Sequence, residues 1–299
     1  MFDKIIIGID GFGRGRTLAG TVKALAPTAT RVLVNVYPHP EGADRDVPAS
    51  YDEFLHGDAI AMLQQERLTS GLPDAELWAI PDSSGARGLK RAAADAHAGL
   101  IVVGPADRSP LGQIVLGEVS RGVFHGAPCP VLVVPQNAHP ERMHVIGVAY
   151  DGSPESTRAL DTAVKIAHDV GGRLEVVEVV EPDLPHQFRG TEYREYVDGV
   201  RGREDDRLRA LAGGIDVPCQ AHAVRGEPRE VLSDLSRLAD LVVCGSRGHG
   251  PAARVAFGSA ADDLIHGAQC PVLVVPRGAQ LTDAARLNAT RRQTAHSHA

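Results

Sequence analysis

Several features that would place a chain in a membrane or on nucleic acid are missing from this sequence. No apolar run approaches the roughly 18–20 residues that a membrane-spanning helix requires, so we do not expect a membrane protein. The N-terminal segment has a short apolar run and no small-residue cleavage site, so a signal peptide is not expected either. Basic residues number 31 against 38 acidic ones, and only four are lysines. Nucleic acid is therefore not an expected partner, because phosphate backbones favour a basic face.

Closely spaced cysteines are also missing. The four cysteines lie at positions 129, 219, 244 and 270, and no two of them form a C-x-x-C pair. This spacing argues against a zinc or redox motif and against a disulfide framework. A reducing cytoplasm is the compartment that it indicates.

What the chain does contain is a duplication. Segment 101–135 (IVVGPADRSPLGQIVLGEVSRGVFHGAPCPVLVVP) matches segment 242–276 (VVCGSRGHGPAARVAFGSAADDLIHGAQCPVLVVP) at a constant offset of 141 residues. The same offset carries Asp10 to Asp151, each at the end of an apolar run. This period is far longer than the roughly 20–50 residues of solenoid repeats, so each copy is a whole domain. We assign residues 1–137 to the first copy, 143–278 to the second and 279–299 to a polar tail, with a linker near 136–142.

Within each copy, apolar runs alternate with amphipathic stretches. Continuous runs rich in Val and Ile are typical of parallel strands buried on both faces. Their alternation with helices predicts an α/β fold with two tandem Rossmann-like domains, each a five-stranded, mainly parallel sheet flanked by helices. The strands are predicted near 4–9, 31–36, 75–80, 99–103, 130–134, 143–150, 173–180, 217–224, 240–244 and 271–275. The helices are predicted near 16–26, 52–70, 84–97, 114–125, 154–170, 190–212, 228–238 and 258–267.

A ligand of such a sheet binds beyond the carboxyl ends of the strands, where strand order reverses. In the second copy, Asp151 ends the first strand and is placed to accept hydrogen bonds from a ribose or base. Val179 ends the second strand and could offer backbone groups to an adenine edge. Glycines after the fourth strand allow backbone N–H groups to approach phosphate oxygens, and a helix N-terminus adds positive potential. These loop residues are Gly245, Arg247, Gly248, Gly258 and Ser259.

Two common nucleotide motifs are excluded. The chain contains no G-x-x-x-x-G-K-[ST] sequence, so it is not a P-loop ATPase. The segment GFGRGR at 11–16 suggests a Rossmann fingerprint, but the third glycine of G-x-G-x-x-G would fall at Arg16, so the match fails.

The spacing Gly245-x2-Gly248-x9-Gly258-Ser259 resembles that of the universal stress proteins, whose ATP-binding members carry G-x2-G-x9-G-[ST]. The likeness covers nearly the whole chain, twice, so the chain resembles a tandem universal stress protein. The resemblance implies that the two Rossmann-like domains are of the adenine nucleotide alpha hydrolase-like type. The resemblance implies ATP as ligand, with Mg²⁺ accompanying it through phosphates and water. It also implies a pseudo-dimer of the two copies, and a homodimer, through the last strands. The nucleotide-contacting residues that it implies are Asp151, Val179, Gly226 of a G-x-P-like turn, Gly245, Arg247, Gly248, Gly258, Ser259 and Ala260.

The first copy departs from this pattern. Asp10, Val36, Gly104 and Gly117 are retained, but Asp107 replaces the second glycine and Glu118 replaces the Ser or Thr. Two carboxylates facing a triphosphate would each cost on the order of a few kcal/mol. We therefore expect ATP in the second copy and weak or no binding in the first. One departure touches the second copy, where Ala261 stands at the position of a further hydroxyl.

Simpler explanations exist for these residues. The glycines could serve tight turns, the two aspartates could cap strand-to-loop junctions, and Arg247 and Arg254 could be solvated surface charge. Arg14 and Arg16 could contact phosphate in the first copy, but solvated surface charge is the favoured interpretation of both. His125 and His266 suit helix C-termini better than metal sites, and Cys129 and Cys270 suit buried hydrophobic positions.

The leading function is therefore a nucleotide-binding regulatory protein of stress or dormancy responses. One alternative is an enzyme that slowly hydrolyses ATP, although no base, Walker lysine or metal-carboxylate set is evident beside the loop. The other is a dimerisation or interaction scaffold with a vestigial site.

Overall fold

A computed structural model describes residues 1–11, 13–39, 49–104, 107–108, 114–115, 118–136, 138, 143–180, 191–246 and 259–277. In the first copy the strands are Lys4–Gly8 (β1), Thr30–Tyr37 (β2), Glu76–Pro81 (β3), Leu100–Val103 (β4), Asp107–Arg108 (β5), Ile114–Val115 (β6) and Val131–Val133 (β7). The helices are Gly15–Leu25 (α1), Ala49–Thr69 (α2), Gly85–Asp95 (α3) and Glu118–Phe124 (α4).

The second copy repeats this order. Its strands are Val145–Ala149 (β8), Arg173–Val180 (β9), Cys219–Arg225 (β10), Leu241–Gly245 (β11) and Val272–Val275 (β12). Its helices are Pro154–Val170 (α5), Thr191–Gly213 (α6), Pro228–Leu238 (α7) and Ser259–Gly267 (α8). No helix in the described part of the chain is both long and apolar enough to cross a bilayer.

Ten of the strands form one sheet. Its order is β10-β9-β8-β11-β12-β7-β4-β1-β2-β3, so each half has the strand order of a doubly wound domain. All pairs within each half are parallel, and only β12 and β7 pair antiparallel, with Leu273 opposite Leu132. The predicted fold class is confirmed.

The central strands are buried on both faces, as their apolar runs predicted, whereas the edge strands β3 and β10 are only partly buried. In β1, Ile5 and Ile7 pack into the hydrophobic cluster on one side of the sheet, whereas Ile6 packs into the cluster on the other. This two-sided burial explains why the strand sequences are continuous apolar runs rather than alternating patterns.

Local signals begin and end the helices that cover the sheet. At α5, the Ser153 hydroxyl accepts a hydrogen bond from the Ser156 N–H, and Pro154 occupies the first turn. The helix ends at Gly171, whose left-handed φ of 65° suits glycine.

One predicted element is wrong at its start. The helix predicted over 114–125 begins at Glu118, because Ile114 and Val115 form β6 and pair antiparallel with β5. The β-branched pair favours the extended conformation, and the sequence pattern did not separate it from the helix that follows. Asp107, predicted to face phosphate, lies in β5 of this hairpin.

The last strands of the two copies have no free edge. Strand β7 lies between β4 and β12, and β12 lies between β11 and β7. A homodimer through these strands, as the resemblance implied, would require this pairing to open. The outer edges of the described sheet are β3 and β10.

The seam between β7 and β12 is a testable source of stability. Leu132 is fully buried opposite Leu273, so Leu132→Ala should lower the free energy of unfolding by about 2–5 kcal/mol. Leu238 is 73% exposed, so Leu238→Ala should change it by less than about 0.5 kcal/mol. Denaturant unfolding of both variants measures the difference, and equal losses would contradict the assigned burial.

Candidate functional site

The second copy has a topological switch point at the carboxyl edge of its half-sheet, which we call its crevice. Strand β8 lies between β9 and β11, so the strand order reverses there. Asp151 follows the end of β8, and Gly245 ends β11. This is the position at which open α/β sheets bind ligands. The structure therefore brings the predicted Asp151, Val179 and Gly245 to one end of the sheet.

Asp151 is held by the turn into α5. Its Oδ1 accepts a hydrogen bond from the Ser153 N–H at 3.0 Å, and its own N–H donates to the Ser156 hydroxyl at 3.3 Å. Gly152 makes the turn with a φ of 75°. The exposed carboxylate is thus fixed at the mouth of the crevice, and it also performs the capping role that the sequence left as an alternative.

The backbone of Val179 faces this crevice. The Val177 carbonyl accepts a hydrogen bond from the Tyr150 N–H at 2.9 Å, so the polar groups of Val177 point toward β8. Residues two apart in a strand point their N–H and C=O groups to the same side. The last register pair between β8 and β9 is Ala149 with Val177, so the polar groups of Val179 point beyond the end of β8, next to Asp151.

Gly245 allows α5 to approach the end of β11 closely. A Cβ at this position would lie 2.9 Å from the backbone carbon of Glu155 and 2.9 Å from its Cβ. The next residue, Ser246, is buried and donates its N–H to the Val275 carbonyl at 3.0 Å. The requirement for glycine at 245 thus comes from the packing of α5, whether or not a phosphate approaches.

The remaining predicted residues of this copy lie around the crevice or outside the described part of the chain. Gly226 follows β10 and precedes α7, and a Cβ there would meet the Val231 Cγ2 at 2.8 Å. Ser259 and Ala260 form the first turn of α8. Arg247, Gly248 and Gly258 lie outside the described residues.

In the first copy, an arginine occupies the corresponding crevice. The Arg14 guanidinium lies 3.3 Å from the Asp10 carboxylate, and the Arg14 side chain is only 14% exposed. A Cβ on Gly104 would lie 3.6 Å from the Arg14 Cδ. Arg14 thus spans the gap between Asp10 and Gly104. The expectation that it is a solvated surface charge is wrong, whereas Arg16 is exposed as expected.

The rest of the first crevice has the same backbone geometry as that described for Val179 in the second copy. The Ile9 N–H donates to the Val34 carbonyl at 2.8 Å, so the polar groups of Val36 point beyond the end of β1 by the same alternation. The Asn35 side chain donates to the Ile9 carbonyl at 2.9 Å. Gly117 lies outside the described residues.

Two functional candidates were missed in the sequence. Glu178 lies near the end of β9, directly before Val179, and its carboxylate pairs with Arg207 of α6. Burial raises the pKa of Glu178, and Glu204 and Asp151 raise it further, whereas Arg207 lowers it. A charge at the end of an apolar strand was a signal for Glu178. Arg207 is one of several arginines on α6, and no sequence signal distinguishes it.

Comparison with known proteins places the chain in a family. A sequence model of the universal stress protein family matches twice, over residues 1–135 and 143–276. The chain belongs to the universal stress protein family. The resemblance drawn from the glycine spacing and the duplication is confirmed.

Individual relatives agree with this membership. A universal stress protein of Mycolicibacterium smegmatis is 31% identical over 188 residues, which cover 61% of this chain and 63% of that relative. The match thus spans less than two thirds of the relative's own length. One from Thermus aquaticus is 34% identical over 132 residues, covering 43% of this chain and 95% of that protein. The crystal structure of a universal stress protein from Archaeoglobus fulgidus, 20% identical, shares the fold with a TM-score of 0.71 over 92% of this chain and 99% of that one.

The cysteines of this universal stress protein chain are unpaired. Burial raises the pKa of the Cys129, Cys244 and Cys270 thiols to about 12, which disfavours the reactive thiolate. Cys219 is only partly buried. The interpretation of Cys129 and Cys270 as buried hydrophobic residues agrees with this burial.

The two histidines lie at helix ends, as predicted. The Nδ1 of His125 lies 3.0 Å from the Arg121 carbonyl, and the Nδ1 of His266 lies 2.7 Å from the Asp262 carbonyl. Among the described residues, no group of three or more His, Cys, Asp or Glu side chains is placed to hold a metal ion.

The loop glycines provide a matched test of packing. Gly245→Ala should lower the free energy of unfolding by about 1–3 kcal/mol, because its Cβ would overlap the α5 backbone. Gly104→Ala should cost less than about 0.5 kcal/mol, because its Cβ has room beside Arg14. Thermal and denaturant unfolding compare the two, and a Gly104→Ala loss as large as that of Gly245→Ala would contradict this asymmetry.

The thiols give a second test. With a disulfide-exchange reagent at about pH 8, Cys219 should react first, while the three buried thiols should react only on unfolding. Cys219→Ser should therefore remove the fast phase. Fast labelling that persists in this variant would contradict the described burial.

Proposed function

We propose that this chain binds ATP in the crevice of its second copy and acts as a nucleotide-dependent regulator in stress responses. The observation that carries the proposal is the orientation of Val179, whose backbone polar groups point beyond β8 beside the fixed carboxylate of Asp151. An N–H and a C=O at one point match the acceptor and donor of an adenine edge. A ribose hydroxyl can donate to the carboxylate of Asp151.

The phosphates would lie at the glycine loop on the other side of the crevice. Gly245 ends β11, and α8 begins at Ser259, so the loop between them leads directly to a helix N-terminus. Free N–H groups of a first helical turn favour bound phosphate. The sequence places Gly248, Gly258 and the cationic Arg247 in this loop. Mg²⁺ would accompany ATP through phosphate oxygens and water.

The first copy is proposed to bind ATP weakly or not at all. Arg14 already pairs with Asp10 and lies against Gly104, so a ribose would have to displace this ion pair. The loop itself carries Asp107 in place of the second glycine, and part of it forms the β5–β6 hairpin. The negative charge of the loop and the position of Arg14 thus both disfavour ATP binding by the first copy.

Assembly and location are part of the proposal. The antiparallel pair of β12 with β7 supports a pseudo-dimer in which one chain supplies both halves. The four unpaired cysteines support a reducing, cytoplasmic setting. ATP occupancy would act by favouring one conformation or partner over another.

A titration of ATP into the full-length chain tests the proposal. We expect one ATP per chain. Asp151→Asn should weaken ATP binding about tenfold or more, because the ribose hydroxyls lose a charged acceptor. The matched Asp10→Asn in the first copy should leave ATP binding unchanged.

Two further measurements sharpen this test. Gly248→Asp, which copies Asp107 of the first copy, should remove the ATP that is released when freshly purified protein is denatured. Two equivalent sites, or unchanged ATP retention in this variant, would contradict the assignment. Rapid, saturable release of phosphate from ATP would instead favour an enzyme.

A further inference from the structure

A cluster of charged side chains lies at the adenosine end of the second crevice. Arg207 extends from α6 to the end of β9, where it pairs with the Glu178 carboxylate. Its Nε donates to the Glu204 Oε2 at 2.6 Å, and its guanidinium carbon lies 5.8 Å from the centre of the Tyr150 ring. One guanidinium thus contacts two carboxylates and the residue that precedes Asp151.

The guanidinium also lies over the turn that carries Asp151. A Cβ on Gly152 would be 3.7 Å from the Arg207 Nη1. Gly152 directly follows Asp151, and its positive φ forms the turn that carries Asp151. Arg207 is therefore located between Glu178 and the predicted ribose contact.

The electrostatic balance of this region depends on Arg207. Glu178 is 14% exposed, and its burial together with Glu204 and Asp151 raises its pKa. A further carboxylate, that of Asp205, accepts a hydrogen bond from the N–H of Ala223, the register partner of Glu178 on β10. Arg207 is the cation that pairs with Glu178. Without it, buried negative charge would adjoin the place where an anionic nucleotide is proposed to bind.

The first copy contains a neutral version of the same arrangement. A Cβ on Gly11, the glycine that follows Asp10, would lie 3.5 Å from the Met62 Cγ of α2. Asn35, which precedes Val36 in β2, occupies the place that Glu178 has before Val179 in β9. Met62 and Asn35 therefore stand where the second copy has Arg207 and Glu178.

We propose that Arg207 is a positioning residue that sets the affinity of the second crevice for an anionic nucleotide. It compensates Glu178 beside Asp151 and holds the Glu178 carboxylate toward α6. This inference rests on the proposed ATP binding by the second copy. It adds that a residue remote from the glycine loop controls how well negative charge is tolerated there.

Replacement of Arg207 by the residue type found in the first copy tests the inference. Arg207→Met keeps a long side chain over Gly152 but removes the charge. At about pH 8, ATP affinity should fall about tenfold relative to the wild type. The deficit should shrink as the pH is lowered, because Glu178, whose pKa is raised by burial, takes up a proton and then ceases to repel the nucleotide. The ATP affinity of the variant is divided by that of the wild type at each pH, so that the protonation of ATP itself cancels. Adenosine, which is neutral, should lose less affinity than ATP.

Rescue distinguishes charge compensation from a structural role. The double variant Arg207→Met/Glu178→Asn imports the neutral pair of the first copy and should bind ATP within about threefold of the wild type. Arg207→Lys keeps the charge and should also bind ATP nearly normally. Arg209→Met is the matched control, because it breaks an exposed ion pair with Asp206 on the same helix. It should leave ATP binding unchanged.

The outcomes separate this inference from the proposed function. If the wild type binds ATP and Arg207→Met binds it equally well, the inference fails while the proposed function stands. A loss that is independent of pH and is not rescued by Glu178→Asn also overturns it. If Arg207→Met does not fold, normal ATP binding by Arg207→Lys together with rescue in the double variant supports the inference, and failure of both overturns it. If the wild type binds no nucleotide, the proposed function and the inference fall together.

Discussion

Burial of the central strands on both faces is the constraint on which the rest of this structure depends. Neighbouring residues of β1 pack into opposite hydrophobic clusters, so the body of such a central strand leaves no place for charge. Burying an unpaired charge there would cost far more than any single contact returns. In the central strands, polar chemistry is therefore confined to the strand ends. Asp10, Asp151 and Glu178 all lie at or just beyond a strand end, and the position of the candidate site follows from the way the core is built.

The two copies keep this framework and differ in the charges placed on it. Arg14 lies against Gly104 in the first copy, whereas Glu155 lies against Gly245 in the second. The first copy has Asn35 and Met62 where the second has Glu178 and Arg207. None of these exchanges alters the sheet, because each lies outside the buried core. Divergence between the copies has thus been largely electrostatic, with Arg14 paired to Asp10 in the first crevice and Arg207 paired to Glu178 in the second.

What could be predicted from the sequence divides in the same way, between the buried framework of the sheet and the charged side chains placed on it. Strands could be predicted because two-sided burial requires continuous runs of Val and Ile, and the duplication located every landmark twice. The carboxyl-end positions of Asp151, Val179 and Gly245 followed from the strand order. The contacts of Arg14 and Arg207 could not be predicted, since each depends on where a long side chain packs across elements. The β5–β6 hairpin was missed because two-residue strands have no periodicity to detect. The need for glycine at 245 was attributed to phosphate, but packing of α5 is sufficient to require it.

The antiparallel seam has one more geometric consequence. Strand β7 runs parallel to its own half-sheet and β12 to the other, so the two sets of carboxyl ends point in opposite directions. The two crevices therefore lie at opposite edges of one continuous sheet. The copies also contact each other outside the sheet, where the Met1 amino group pairs with Asp169 and the Arg121 guanidinium lies 3.2 Å from His266 Nε2, so the sheet and these contacts together join the two halves.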